Sequence, residues 1–390
     1  MTLLPHQPWT QTPAGIALLT ALEAPAGVTR LVGGAVRDAL RGVASADIDL
    51  ATQLPPAEVM ARLTAAGLKA VPTGLAHGTV TAVGEGLIAE VTTLRRDVAT
   101  DGRHAEVAFT DDWQEDASRR DFTINAMYAA LPGGEISDFF GGEADLVAQR
   151  VRFIGDPLQR IAEDHLRILR FFRFSARFAS EIDADGLAAC RARANDLMAL
   201  SRERITIELR GLLGVVDPLP VLSVMFDAGI WVPVLPELRA DRLPALATTI
   251  AVEAAAGVAP AWQRRLAVLL PADAVAAVTA RLRLSNADRT RIAAAVVPDV
   301  TPRDAILWRD GAEAVADRLF IAGDAAGALA ALAWERPKLP ASGRDIIARG
   351  VAPGREVAVR LGAFERAWVA AGFPQNSEAV AALLDKAAQE

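Results

Sequence analysis

The chain has 390 residues, 52% of them hydrophobic and 23% charged, which excludes a disordered chain and exceeds the ~250–300 residues at which single cores stop growing. A formal net charge of −7 excludes a generic nucleic-acid coat, which needs clustered cations, but leaves room for a local basic groove. A single cysteine, Cys190, excludes an intramolecular disulfide, and no apolar run reaches the ~20 residues that cross a bilayer.

No lysine or arginine precedes Arg30, so the pattern of a secretory signal is missing and a soluble, cytoplasmic protein without membrane attachment is expected. "GVTRLV" (27–32) is a β-branched run stopped by Gly33 and Gly34, and "VRDAL" (36–40) starts a helix straight after that turn. "ADIDLAT" (46–52) reads as a strand. "PPAEVMARLTAAG" (55–67) has proline at its start and glycine at its end, the asymmetry of a helix. "HGTVTAV" (77–83) and "LIAEVTTL" (87–94) alternate like strands, and the "GEG" between them predicts a hairpin. In "RRDFTINAM" (119–127), Asp121 stands where it can cap an apolar helix start.

From residue 156 the pattern turns helical and rich in alanine, leucine and arginine, punctuated by prolines. "RIAEDHLRILRFFRFSARF" (160–178) predicts one amphipathic helix. Ile161, Ile168 and Phe172 share its apolar face; Arg160, Glu163, Arg167, Arg170 and Arg177 gather on another, with Asp164 at the edge. That polar face suits either solvent, with pairs such as Glu163–Arg167, or an anionic ligand. The expected fold class is α+β. A mixed-sheet head (1–150) precedes an all-helical neck (151–215) and a helical body and tail (216–390).

Strand alternation turns Asp47 and Asp49 to the same side while Ile48 and Leu50 face the core. Neighbouring carboxylates repel and raise each other's pKa unless a cation sits between them. Hard oxygen donors at that spacing suit Mg²⁺, which takes one or two carboxylates and completes its shell with substrate phosphates and water. Gly33 and Gly34 allow backbone N–H groups to approach a phosphate at a helix start, and Arg37 adds a cation one turn later. Taken together, the span reads as a metal-triphosphate site.

"LVGGAVRD", "DIDLAT", "RRDFTINAM", "DFFGGEADL", "RIAEDHLRILRFFRF" and "LSRERITIEL" resemble, in order and spacing, the motifs of bacterial class II nucleotidyltransferases. That family comprises tRNA CCA-adding enzymes and the related poly(A) polymerases, within the polymerase-β-like superfamily. The resemblance covers about residues 28–210 and implies template-independent addition of C, C and A to tRNA from CTP and ATP, with Mg²⁺ as cofactor. It implies that Asp47 and Asp49 hold the metal ions and that Gly33, Gly34 and Arg37 meet the triphosphate. Arg120 and Asp121 match a motif beside the nucleotide's sugar and phosphates. Asp164 and Arg167, three apart on one helix face, match the amino-acid template that reads the base, and Arg170 and Arg173 meet phosphate or brace Asp164.

In the same family a flexible loop follows the aspartate pair, and here "EVTTLRRDVATDGRHAEVAF" (90–109) keeps it in full, with Asp97, Asp101, Arg103 and His104. Glu90 is either a third site carboxylate or an anchor for that loop. His77 and His104 have no second histidine at ligand spacing and read as loop hydrogen-bonding residues. A poly(A) polymerase is the rival within the family, and a non-catalytic RNA-binding protein is the rival outside it. Oligomeric state is open.

Overall fold

The four strands expected from apolar alternation and glycine, in 27–32, 46–52, 77–83 and 87–94, are present. The computed structural model describes residues 2–43, 47–100, 105–297 and 304–389, with 97–100 and 105–107 by their backbone alone. Of the expected loop residues, Asp101, Arg103, His104 and the side chain of Asp97 lie outside that description. In chain order, α1 (Pro13–Ala21), β1 (Thr29–Val32), α2 (Gly34–Leu40), β2 (Ile48–Thr52) and α3 (Pro56–Ala65) come first. They are followed by β3 (Lys69–Gly74), β4 (Thr79–Gly84), β5 (Leu87–Thr93), β6 (Arg95–Thr100) and β7 (Ala105–Phe109). Then come α4 (Trp113–Ser118), β8 (Met127–Ala130), β9 (Ile136–Asp138) and α5 (Gly142–Val147).

Seven strands form a mixed sheet in the order β3-β4-β5-β2-β1-β8-β9, and β6 pairs with β7 as a separate ribbon. Only β2 and β5 run parallel; every other neighbouring pair in the sheet is antiparallel. The pleat divides the core. Leu31, Leu50 and Val91 pack with Val36 of α2 and with Val59 and Leu63 of α3. Val32 and Ala51, on the opposite face, pack with Tyr128 and Ile154. Asp49 therefore shares the Ala51 face, at the end of the strand where the apolar cover stops.

The helical region begins with α6 (Pro157–Glu163), α7 (Arg167–Phe178), α8 (Ala184–Ala192), α9 (Arg202–Leu213) and α10 (Leu219–Asp227). Two expectations are corrected here. Residues 160–178 form two helices, because Asp164 is extended (φ −150°, ψ 107°) and its carboxylate accepts the Leu166 N–H at 3.1 Å. A short acidic side chain that bonds its own backbone offers the chain an alternative to the helix. After "RRD" there is one 3-10 turn, Thr123–Asn125, and then β8. Asp121 caps no helix.

The chain divides into two compact units, Met1–Pro236 and Glu237–Glu390. The second contains α11 (Leu243–Ala255), α12 (Trp262–Leu269), α13 (Val275–Arg281), α14 (Asn286–Ala295), α15 (Asp304–Asp310) and α16 (Ala312–Ile321). It ends with α17 (Ala325–Leu332), α18 (Gly343–Ile347), α19 (Arg355–Ala370) and α20 (Ser377–Gln389). Its helices are tied by a buried ion network. Arg264 meets Glu253 at 2.7 Å and Asp317 at 2.9 Å, and Arg265 meets Glu253 at 2.7 Å. Among the described residues no helix is long and apolar enough to cross a membrane.

The boundary has a testable consequence. Val221, Leu222, Met225, Ile230, Trp231, Val234 and Leu235 are all buried and all lie in the first unit. Burial of such side chains is worth ~1.5 kcal/mol or more each, so together they account for roughly 10 kcal/mol, as much as the whole stability of a typical domain. A fragment ending at Pro236 should give one cooperative thermal transition, and one ending at Gly214 should give none. Two equally cooperative melts would show that α10 and the turns after it are dispensable to this core.

Candidate active site

The site starts from a turn that only glycine fits well. Gly33 sits at φ +68°, and a Cβ there would lie 3.3 Å from Arg120 Nη1. Its N–H donates to the Met127 carbonyl at 3.1 Å, fixing the turn to β8. From Gly34 the chain enters α2, where Arg37 is buried. The Arg37 guanidinium donates to Asn125 Oδ1 and, at 2.9 Å, to Asp38 Oδ1, and it lies 4.3 Å from the Phe178 ring centre.

One residue before β2 stands Asp47, and Asp49 lies on the strand in register with Glu90 of β5. Thr79 and Thr92 continue the same surface, their hydroxyls 3.0 Å apart. A cavity of about 840 Å³ opens over this end of the sheet, and all twelve candidate residues line it. Its lining carries an acidic group, Asp47, Asp49 and Glu90, here the acidic pole, and a group rich in arginine, Arg37, Arg120, Arg167, Arg170 and Arg173 with Asp121 and Asp164, here the basic pole; Gly33 and Gly34 line it as well. That volume suits a nucleotide.

The acidic pole is strained electrostatically. Burial pushes the Asp49 carboxyl above the usual range, Glu90 and Asp47 add to it, and Arg120 opposes them. Among the described residues no three carboxylate, histidine or cysteine groups converge to hold a metal ion by themselves.

At the basic pole, three arginines grip three consecutive residues of "RRD". Arg167 Nη2 donates to the Arg119 carbonyl and Arg160 Nη2 to the Arg120 carbonyl, both at 2.9 Å. Arg170 Nη2 meets the Asp121 carboxylate at 2.6 Å. Asp121 also accepts from Asn125 Nδ2 at 3.0 Å and the Phe122 N–H at 2.9 Å. Burial alone would raise the Asp121 carboxyl; Arg170 and these hydrogen bonds hold it below the usual carboxylate range. Arg173 is paired with Glu208 at 2.6 Å. The polar face expected on a single helix is thus largely internal: Arg160 and Arg167 are buried.

Asp164 and Arg167 do not share a helix face, since the helix break separates them. Both still reach the cavity. Arg167 Nη1 donates to Glu163 at 2.6 Å and to the Arg160 carbonyl at 2.8 Å. Asp164 takes Arg204 Nη2 on both oxygens, at 2.7 and 3.0 Å, so its brace is Arg204 and not Arg170 or Arg173. Sequence reasoning also missed Asn125, which joins Arg37 to Asp121, and Thr79, Thr92, Arg95 and Arg119 on the cavity wall. Asn125 and Arg204 stood inside quoted motifs, but no spacing rule links either to its partner.

Residues 29–152 match the family described as Poly A polymerase head domain. Over 385 residues the chain is 34% identical to CCA tRNA nucleotidyltransferase 1, mitochondrial, of Mus musculus, covering 92% of this chain and 86% of that protein. The chain belongs to the CCA tRNA nucleotidyltransferase family. It is 30% identical to the CCA-adding enzyme of Levilactobacillus brevis over 374 residues, 91% of this chain and 93% of that one. The crystal structure of the Bacillus stearothermophilus CCA-adding enzyme in complex with CTP superposes with a TM-score of 0.74 at 27% identity, over 97% of this chain and 98% of that chain. The expected α+β class II architecture is therefore that of CCA tRNA nucleotidyltransferases, and its likeness runs through the helical half as well as the head.

Proposed function

We propose that this chain adds C, C and A in turn to the 3′ end of tRNA from CTP and ATP and releases pyrophosphate. The observation that carries the reading is one cavity lined by a carboxylate pair, a glycine turn and a set of arginines together, in a chain similar to CCA enzymes over 92% of its length. The family described as Poly A polymerase head domain matches residues 29–152 only, so it does not favour the poly(A) rival over CCA addition. The intact Asp47 and Asp49 speak against a silent RNA-binding module. The CTP named with the Bacillus structure supports CTP as one substrate.

Asp47 and Asp49 would hold divalent metal, and the donor set fits: oxygen ligands only, with surplus negative charge pressing on Asp49. Mg²⁺ is the ion of choice there, leaving coordination places for triphosphate and water. When bound, it would activate the RNA 3′-hydroxyl and stabilise the departing pyrophosphate. Glu90 adds charge to that pole from the neighbouring strand. Gly33 and Gly34 let the triphosphate approach the backbone, while Arg37 and Arg120 offset its charge and fix its position. Asp121 holds Arg170 toward the sugar and phosphates, and Arg173 extends the cationic wall. Asp164 accepts from the exocyclic amine that cytosine and adenine share, and Arg167 donates to ring acceptors. The Cys190 thiol is buried and pushed up by that burial, which leaves it no part in the chemistry.

The test is tRNA lacking its CCA end, incubated with labelled CTP, labelled ATP, or both. Two cytidines from CTP and one further adenosine when both are present are expected; a long A-tail on unrelated RNA would overturn the reading. RNA binding should also depend on salt despite the acidic composition, because phosphate contacts release counterions. Affinity should fall at least about tenfold from ~50 to ~200 mM monovalent salt at fixed Mg²⁺. A flat response would remove the arginines as phosphate contacts.

A further inference from the structure

Behind the arginine pole sits a carboxylate that none of the roles above uses. Asp116, in the first turn of α4, is 1% exposed and does not line the cavity. Its Oδ1 accepts the Arg95 N–H at 3.1 Å and Arg119 Nε at 2.8 Å. Its Oδ2 accepts Arg120 Nη2 at 3.2 Å and the Tyr128 hydroxyl at 2.6 Å. Tyr128, on β8 and fully buried, in turn accepts Arg120 Nε at 3.3 Å through its oxygen. Trp113 packs edge-on against the Tyr128 ring at 5.2 Å.

Arg120 is therefore held from behind at two points, Nη2 by Asp116 and Nε by Tyr128. Its third nitrogen, Nη1, is the one that lies against the Gly33 turn. A planar guanidinium fixed at two nitrogens has no remaining rotation, so the direction of the third is set. We propose that Asp116, relayed by Tyr128, is the positioning residue that aims Arg120 Nη1 at the nucleotide bound over the Gly33–Gly34 turn. The inference rests on the reading of Arg120 as a nucleotide contact.

The charge balance supports the geometry. Burial alone would raise the Asp116 carboxyl, but Arg120, Arg119 and the Tyr128 hydrogen bond hold it at about 2. Burial likewise pulls against the charged form of Arg120, and Tyr128 and Asp116 outweigh it. The carboxylate thus stays ionised at any pH at which the enzyme works, and its two guanidinium partners stay in place. Through the Arg95 N–H the same carboxylate also holds the first residue of β6, so that strand and the arginine are referenced to one group.

The experiment measures CTP addition to tRNA lacking CCA, with kcat and KM for CTP, in Asp116→Asn, Tyr128→Phe, Arg120→Ala and the two double variants that add Arg120→Ala. Asp116→Asn should raise KM for CTP about tenfold and Tyr128→Phe about threefold; once Arg120 is alanine the Tyr128→Phe effect should vanish and the Asp116→Asn effect should shrink to the part carried by Arg119 and Arg95. That lost effect separates a positioning role from general damage, which would multiply with the Arg120 change. Should Asp116→Asn fold poorly, Tyr128→Phe, which removes one oxygen from a buried ring, decides alone. An unchanged KM in Tyr128→Phe, or effects that multiply undiminished in the double variants, would overturn the proposal. An Arg120→Ala variant with unchanged KM and kcat would instead overturn the nucleotide-contact reading beneath it.

Discussion

Asp49→Asn should abolish nucleotide addition and at the same time raise the melting temperature of the metal-free protein. Loss of activity follows from the role proposed for the carboxylate pair: a bound divalent ion supplies several kcal/mol of transition-state stabilisation, and ~4 kcal/mol is about a thousandfold in rate. The rise in stability follows from electrostatics. Burial, Glu90 and Asp47 push the Asp49 carboxyl up, so the ionised form is less comfortable in the folded chain than in the unfolded one. A carboxyl whose folded pKa is raised subtracts stability at neutral pH, and the subtraction disappears as the pH falls through that pKa. Asparagine keeps the shape and removes the charge. The gain should be present at pH 7 in chelator and close as the pH falls through the raised Asp49 pKa. Added Mg²⁺ should reverse the order, since only the wild type gains a ligand that stabilises its folded form. Retained turnover in Asp49→Asn would remove the metal assignment, and an equal or lower melting temperature in chelator would show that the pole is not under repulsion.

What the sequence discloses about this molecule depends on how far apart the interacting groups lie. The Gly33–Gly34 turn, α2, β2 and the β4–β5 hairpin were legible because their causes are local: glycine at a positive φ, alternation along a strand, proline and glycine at the ends of α3. Part of the cavity's membership was legible too, Asp47, Asp49, Gly33, Gly34 and Arg37 from their own chemistry and the remaining candidates through the family resemblance, whereas Thr79, Thr92, Arg95, Arg119 and Asn125 were not. Nor was its internal wiring. Asp164 looks like one more polar residue on a helix until Arg204, forty positions on, takes both its oxygens and the local bond to Leu166 N–H opens the helix. The run after "RRD" is short and mostly apolar, and a run of that kind reads equally as helix or buried strand; β1 decides it by pairing with β8. Asp116 looks like an ordinary acidic residue near a helix start, and only the fold reveals that two arginines and a tyrosine converge on it. In this site, residue types follow from sequence and partner assignments from topology.

Those partner assignments sharpen the second large effect, on base selection. Asp164 and Arg167 are proposed to read the amine and ring acceptors shared in kind by cytosine and adenine, and uracil and guanine lack the amine at that position. A mismatched base leaves buried polar groups unpaired, at about 1–3 kcal/mol each, or roughly 5- to 150-fold per group. Arg167→Ala should therefore raise UTP and GTP incorporation relative to CTP and ATP by at least ~5-fold while lowering the absolute rate with the correct bases. Asp164→Ala should do the same from the amine side. Arg204→Ala should show a weaker form of it, because it frees the Asp164 carboxylate without deleting it. The structure also offers a competing role for Arg167: its bonds to the carbonyls of Arg119 and Arg160 would let it serve only as a brace between the neck and the "RRD" segment. The two roles part company in one measurement, the incorporation of all four nucleotides by each variant under identical conditions. A brace lost would misplace Arg120 and Asp121 for every nucleotide, cutting all four in proportion, as Asp49→Asn should. A reader lost changes the ratios. If Arg167→Ala leaves the ratios fixed while Asp164→Ala alters them, base reading belongs to the aspartate alone, and the arginine is the clamp that keeps the two parts of the site in register.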